Sequence, residues 1–517
     1  KTTKPCKYMQ NKFAPYTDRY GGRALLLFLL FSAAIYQLVT VGIGMFALIC
    51  LLPLVIIAIY VAFRWRTATF WLLFFINYFL QWFSKNNWIP SGIPISFYNE
   101  ALEIVLLVIA IIDARKSPCF ERTGNWMLYA LMIWCGFCTL EIFNDTCGLG
   151  INVYAWYTGA RLMAFQILYA FLVYIIYIDK PKILIYYLIF WGSLSLFSVL
   201  WVWKQKYIGF TDGEHAWLYG RGYRTHVIRW GTLIRYFSTH NDAASFGIGI
   251  ASTAVAFLIF ALTSKVKKYR YFFLITGIAC TWAMFPSGTR TAIVCFGAGI
   301  AFYTVLAKSV KLSAFVGVIF VFAFFILAFT NIGNSNDSIR RMRTAFDKND
   351  ASMNVRDVNK ESIKKYIKEA PWGIGLGMER EQVPANNKYR ILTEIPPDSE
   401  YVYIWVRTGK IGIITFVLTT LIMLGGACWT VLFRINSPSM RGIGAGLCCA
   451  FVSMQLGGYA NQILMNFPNC LIYYGGLSLV YALPYMEKEW TEWENKLLEK
   501  EAERKRQKLE KKKASRV

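Results

Sequence analysis

Residues 243–262 read AASFGIGIASTAVAFLIFAL, twenty positions without one charge, and the eight that follow, Thr263 to Arg270, hold Lys265, Lys267, Lys268 and Arg270. A helix rises about 1.5 Å per residue, so this stretch is long enough to span the ~30 Å hydrocarbon core of a bilayer, and the basic segment after it marks a cytoplasmic loop. Working outward, comparable apolar runs fall near 24–40, 43–63, 68–83, 95–113, 126–143, 154–178, 183–203, 270–285, 291–307, 312–330, 411–433, 442–461 and 467–484, separated by charged or Pro/Gly-rich breaks. The chain has 517 residues, of which 56% are hydrophobic and 16% charged. That balance excludes a string of soluble domains. The expected fold is all-α: a polytopic membrane protein of about fourteen transmembrane helices.

The placement of Lys and Arg sets the orientation, because short loops rich in them stay in the cytoplasm. With the N-terminus inside, the inner segments carry Arg64 and Arg66, Arg115, Lys116 and Arg122, Lys180 and Lys182, the 265–270 cluster, Lys308 and Lys311, and Arg434 and Arg441. The short outer segments hold only Lys85 in 84–94 and Arg290 in 286–290, with none in 144–153 or 462–466. The organisation expected is a cytoplasmic N-terminal segment 1–23, a membrane domain 24–484, outer-face loops at 204–242 and 331–410, and a cytoplasmic tail 485–517. The longer outer loop should contain helical segments. Both termini are placed in the cytoplasm.

Topology also accounts for the net charge of +25, which sits largely in the inner loops and the tail and so does not indicate nucleic acid. The tail, with Trp490, Trp493, Leu497 and Leu498 on one stripe, reads either as a helix near anionic lipid headgroups or as a solvated helix. Most of the twelve cysteines lie in apolar runs, where thiols act as small hydrophobes, and Cys135 with Cys138 lacks the second pair of a zinc site. No cleavable signal sequence is recognised, and Lys1 implies numbering without the initiator.

Chemistry is expected in the two long outer segments. Segment 204–242 holds Arg221, Arg224, Arg229 and Arg235 with few acids, against the inside bias for positive charge. Arg161 lies within the sixth expected helix, where an arginine needs a polar cavity, a ligand phosphate or an acidic partner, Glu141 being the first candidate and Glu100 or Glu103 the others. No phosphate-loop motif, HExxH, Cys/His metal spacing or Asp-x-Asp pair occurs, so neither cofactor nor metal is implied, and a substrate already activated, such as a lipid diphosphate, suits the chain. Gly373-Ile-Gly375-Leu-Gly377 follows a charged helical stretch rather than a strand, which excludes a dinucleotide fingerprint and leaves close backbone approach as the use of its glycines.

Four separated stretches together resemble the O-antigen polymerase and ligase superfamily of bacterial envelope glycan assembly. Pro286-Ser-Gly-Thr-Arg290 is similar to its short outer turn opening a helix. Val355-Arg356 with Pro371-Trp-Gly-Ile-Gly-Leu-Gly377 is similar to its arginine, helix and glycine run. Pro397-Asp398-Ser-Glu400-Tyr401 through Thr408-Gly409-Lys-Ile-Gly412 is similar to the signature leading back into the membrane, and Arg235 to Asp242 to its arginine loop. The position the family often fills with His is Asp398, which favours the polymerase members.

The resemblance implies a glycosyltransferase in the bacterial inner membrane with its active site facing the periplasm. It would move a glycan from a polyprenyl diphosphate carrier to an acceptor hydroxyl. Arg161, Arg235, Arg290 and Arg356 are implied as diphosphate-binding residues, and Asp398 and Glu400 as catalytic carboxylates. His240, Tyr401, Gly373, Gly375 and Gly377 are implied in the substrate loops. The reading taken is polymerisation of O-antigen or capsular repeat units. Transfer to lipid A core or to protein differs in the acceptor alone, and a lipid-linked glycan transporter or flippase is the alternative of another class.

Overall fold

The computed structural model describes residues 60–89, 95–113, 119–228, 233–307 and 351–514, with isolated positions between 22 and 58 and between 318 and 332. The expected spans near 24–40, 43–63 and 312–330 fall largely outside the described residues. The chain divides into two compact units, 1–69 and 70–517, and the packing and cavities described below belong to the second.

Its long helices are Ser96–Asp113, Trp126–Leu140, Val153–Tyr177, Pro181–Tyr207, Ala243–Thr263, Lys267–Ala283, Arg290–Leu306, Glu400–Arg434, Pro438–Ala460 and Asn469–Ala514, preceded by Arg66–Lys85 across the unit boundary. Six of these are long and apolar enough to cross a membrane, seven if the bent pair Ile56–Arg64 and Arg66–Lys85 counts as one span. Their starts carry the local chemistry that begins helices. Asn125 and Asp242 each accept two backbone N–H groups as N-caps, Asn152 accepts that of Ala155, and prolines occupy the first turns at Pro181 and Pro438.

Helix Ala243–Thr263 is the most deeply enclosed of the candidate spans and packs on Lys267–Ala283, Arg290–Leu306 and Pro438–Ala460. Between lipid-exposed helices there is no hydrophobic gain from association, so close backbone packing has to hold them together. Gly442 and Gly446, four apart, provide it here: a methyl on either would strike Thr263 or Phe260 of the central helix. Serines and threonines add hydrogen bonds across the bundle, among them Ser252 to Ser453 at 3.1 Å and Thr253 to Tyr473 at 3.0 Å.

Three segments take forms the sequence did not specify. The outer segment 204–242, expected as a loop, contains helices Asp212–Tyr219 and Tyr223–His226 followed by a two-stranded antiparallel hairpin pairing Val227 with Ile234 and Ile228 with Leu233. The span expected at 411–433 is the later part of a helix that begins at Glu400 and is broken at Gly409 (φ 65°, ψ −163°). The tail has no break at 485, because helix Asn469–Ala514 runs unbroken through Pro484, and its tryptophans meet protein. Trp490 is buried and donates to Ser439 Oγ at 3.0 Å, Trp493 stacks on Tyr269, and Glu494 pairs with Lys265 at 3.4 Å.

Loops sort by end. Residues of the segments assigned by charge to the outer face line one large cavity, while Lys265, Asn436, Ser437, Glu487 and Lys488, from segments assigned inside, line a separate one of about 520 Å³.

Candidate functional site

The large cavity measures about 1520 Å³ and draws its wall from parts of the chain nearly 400 residues apart, from Gln81 to Phe467. Arg224, Arg235, Arg290 and Arg356 supply its positive charge, and Asp242, Glu379, Asp398 and Glu400 its acids.

Arg235 is fixed from three sides. Its Nε donates to the Ser287 carbonyl (3.3 Å), Nη1 to the Thr225 carbonyl (3.1 Å) and Nη2 to Thr289 Oγ1 (3.0 Å), so it ties the hairpin to the turn before helix Arg290–Leu306. Those bonds use three of a guanidinium's five N–H donors. Burial, above all, pulls Arg235 below the usual guanidinium range, and the nearby charges of Arg356 and Arg290 add to this against the opposing pull of Asp242.

Arg290 is the first residue of its helix, as the turn motif implied. Ser287 Oγ donates to the Met284 carbonyl (2.6 Å) and accepts the Thr289 N–H (3.2 Å), while Thr289 Oγ1 donates to the Ala243 carbonyl (2.9 Å). A guanidinium at the positive end of a helix dipole suits an anionic ligand. Arg356 stands on helix Ala351–Ile367. Lys360 and Lys364 of that helix, and Lys368 just after it, are exposed, whereas Arg356 is partly buried and faces the cavity.

The same helix reaches the carboxylates, since Asn359 donates to Asp398 Oδ2 at 3.1 Å. Asp398 adopts φ 53°, a left-handed conformation unusual outside glycine and concentrated at functional sites. Glu400 is nearly enclosed, and its Oε2 accepts the Leu464 N–H at 3.0 Å, which pins the loop 461–467 to the start of the Glu400 helix.

The remaining expected residues divide. Gly377 lines the cavity at φ 70°, pressed so closely on the Ala155 carbonyl and Gly159 that no side chain fits. Gly373 and Gly375 do not line it. They pack the loop under the Glu400 helix, where Ile374 and Gly375 donate to the carbonyls of Val406 and Arg407, both at 3.0 Å. Tyr401 is turned away, its hydroxyl on Gln455 Oε1 at 2.9 Å, and Tyr403 takes the cavity side because positions three apart share a helix face and adjacent ones do not.

His240 is also outside the cavity. Its ring is enclosed by Tyr78 and Phe246 and its carbonyl accepts Lys85 Nζ at 2.7 Å, while Asn241 and Asp242 beside it do reach the cavity. Arg161 is not among the lining residues. It sits in a π turn, Arg161–Phe165, and pairs with Glu100 at 3.3 Å, not with Glu141, which instead accepts the Asn144 amide at 2.8 Å. At membrane depth a guanidinium is held by the carboxylate its helix packing brings, and that packing cannot be read from spacing.

Arg224, Glu379 and His226 line the cavity although they were not among the expected site residues. Arg224 was visible only as part of a basic run. Glu379 pairs with the buried Arg407 at 2.7 Å and accepts the Tyr403 hydroxyl at 3.2 Å, a contact with no sequence signal. His226 accepts the Ala243 N–H at Nε2 (3.0 Å), and its Nδ1 lies 2.7 Å from Thr225 Oγ1 and 3.2 Å from the Gly222 carbonyl. Arg229 lies outside the described residues.

Burial, then the charges of Arg235 and Lys85, push His226 down from 6.5 to about 3, and burial and Lys85 push His240 to about 3 as well. Both rings are therefore neutral near pH 7, and a ring pushed down this far is a weak proton acceptor. Since the folded value lies below the ordinary one, the unfolded chain takes up the proton first as pH falls. The stability tied to the neutral ring is complete above about pH 6.5 and is lost between there and about pH 3. His226→Gln, which still offers an acceptor to Ala243, should flatten part of the acid-side fall in Tm. An unchanged slope would refute this role.

Among the described residues no cluster of three or more His, Cys, Asp or Glu is placed to hold a metal. Residues 272–417 match the family model for O-antigen ligase, and this match supports the O-antigen polymerase and ligase superfamily. The matched segment contains Arg290, Arg356, Glu379, Asp398 and Glu400 and excludes Arg235 and the 461–467 loop. A comparison with curated proteins finds no match.

Proposed function

We propose that this chain, built around an O-antigen ligase segment, transfers a glycan from a polyprenyl diphosphate carrier to the hydroxyl of a second lipid-linked glycan on the periplasmic face of the inner membrane, and so polymerises repeat units. The observation that carries the reading is the meeting of Arg224, Arg235, Arg290 and Arg356 with Asp398 and Glu400 in one cavity of about 1520 Å³. Cleavage of the anomeric C–O bond leaves a diphosphate with one more negative charge. Guanidinium groups already held in place stabilise that charge without reorganising at the moment of reaction.

Asp398 takes the acceptor's proton. It is partly exposed to the cavity, with the Asn359 amide orienting one oxygen, whereas the Glu400 carboxylate is committed to the 461–467 backbone and acts as an anchor. Aspartate at the position where many members carry histidine favours polymerisation over ligation to lipid A core.

Purified protein given a polyprenyl diphosphate oligosaccharide should release polyprenyl diphosphate and lengthen the glycan, without nucleotide and with a chelator present. Strict dependence on ATP, or glycan found only on added lipid A core, would count against the reading. The orientation has its own check. Cysteines at the exposed positions Ala216 and Asn386 should react with an impermeant reagent added to the periplasmic side and one at the exposed Asn436 should not; the reverse would invert the topology.

A further inference from the structure

Beneath the cavity, two helices carry polar side chains that the transfer site does not use. Ser96 lines the cavity, and Asn99, Glu100 and Glu103 follow it along helix Ser96–Asp113, so Glu103 lies about 10 Å further along the axis. All three are buried, Asn99 and Glu103 with 0% exposure. Helix Val153–Tyr177 packs against them, and its π turn closes with the Gln166 N–H on the Arg161 carbonyl. The wider turn draws Arg161 and Gln166 toward a common side, as an α-helical turn would not.

Charge and hydrogen bonding do not balance there. Arg161 is committed to Glu100 at 3.3 Å and to the face of Phe97 at 4.2 Å. Among the described residues Glu103 has no ion-pair partner, and the Asn99 amide beside its carboxyl is not aligned for a well-formed hydrogen bond to either oxygen. The amide oxygen and nitrogen of Gln166, 1% exposed, and the amide nitrogen of Asn99 are likewise unpartnered. The titratable groups around Glu103 are Glu100 on its own helix, Tyr169 and Tyr174 on the Val153–Tyr177 helix, and Cys470 on the last helix, none of them cationic. An ionised carboxyl without a partner at membrane depth is costly enough to take up a proton or a cation.

We propose that Glu103, with Asn99 and Gln166, forms a proton-binding site in the membrane core under the cavity, in which Glu103 carries a proton at neutral pH. Its hydroxyl requires an acceptor such as an amide oxygen and its carbonyl oxygen a donor such as an amide N–H, the kinds of group left unpartnered on the two packed helices. Ser96 on one helix and Thr158, Gly159, Leu162 and Met163 on the other line the cavity. Release of the proton leaves an uncompensated negative charge between those helices, which makes this wall of the cavity sensitive to alkaline pH.

The test uses the full chain in lipid nanodiscs. Infrared spectra at neutral pH should contain a protonated-carboxyl carbonyl band that Glu103→Gln removes. Wild-type Tm should fall as pH rises from about 4.5 through the folded value, while that of Glu103→Gln stays flatter, because the unfolded chain releases this proton freely and the folded site retains it. Replacing choline chloride by sodium or potassium chloride at equal ionic strength should shift neither. Loss of a carboxylate band in place of the acid band overturns the proposal. So does a sodium- or potassium-specific rise in Tm that Glu103→Gln abolishes, which would make this a cation site. Failure of Glu103→Gln to assemble also overturns it, since glutamine is the neutral isostere.

Discussion

Asp398→Asn should lower turnover by about 10²- to 10⁴-fold, the range lost with a positioned general base, while donor binding stays near wild type. Asparagine has the same size and keeps an oxygen for the Asn359 amide, so the bond at 3.1 Å and the left-handed backbone at this position survive. What is lost is the capacity to accept a proton. Glu400→Gln is the contrasting variant. Its carboxamide oxygen still accepts the Leu464 N–H, and because that carboxylate anchors a loop, the effect should appear in Tm more than in turnover. A well-folded Asp398→Asn protein with near wild-type turnover would remove Asp398 from the chemistry.

The second large effect is expected at Arg290 and Arg356. Each replacement by Ala should cost about 2–4 kcal/mol of transition-state stabilisation, or roughly 30- to 1000-fold in rate, with Lys between Ala and wild type. Lysine keeps the charge and loses the planar two-pronged donor that matches a diphosphate. Under the alternative, Arg290 merely extends to the membrane interface from its turn, and Lys should then serve as well as Arg. Arg235 is less suited to this comparison, because its three bonds to the 225 and 287–289 segments make any substitution structural as well. Equal turnover of wild type, Arg290→Lys and Arg290→Ala would leave the family resemblance as a statement of fold alone.

Both predictions rest on residues named from motifs, and the motif residues that line the cavity are those in a short turn or at a helix start. Arg290 opens its helix, and Asp398 and Glu400 stand at the beginning of another, so local sequence order places them together. The same reasoning failed where a side chain's direction depends on helix phase. Tyr401 and Tyr403 are two residues apart, yet only the second faces the cavity. It failed again for Arg161, whose partner among Glu100, Glu103 and Glu141 is chosen by which helices touch.

The sequence alone settled that the chain lives in a membrane as a helical bundle, because uncharged stretches of about twenty residues have nowhere else to satisfy their backbone and bury their side chains. Its pattern of Lys and Arg also grouped the loops, and each of the two cavities draws its loop residues from one of those groups. Which polar residues meet was decided by the tertiary structure. Gln81, Arg235, Arg356 and Gln462 share one cavity wall although hundreds of residues separate them. Periodicity records the face a helix buries but carries no record of the neighbour that covers it. That choice is made by close packing at positions such as Gly442, Gly446 and Gly377, where the absence of a side chain makes room for one particular neighbour.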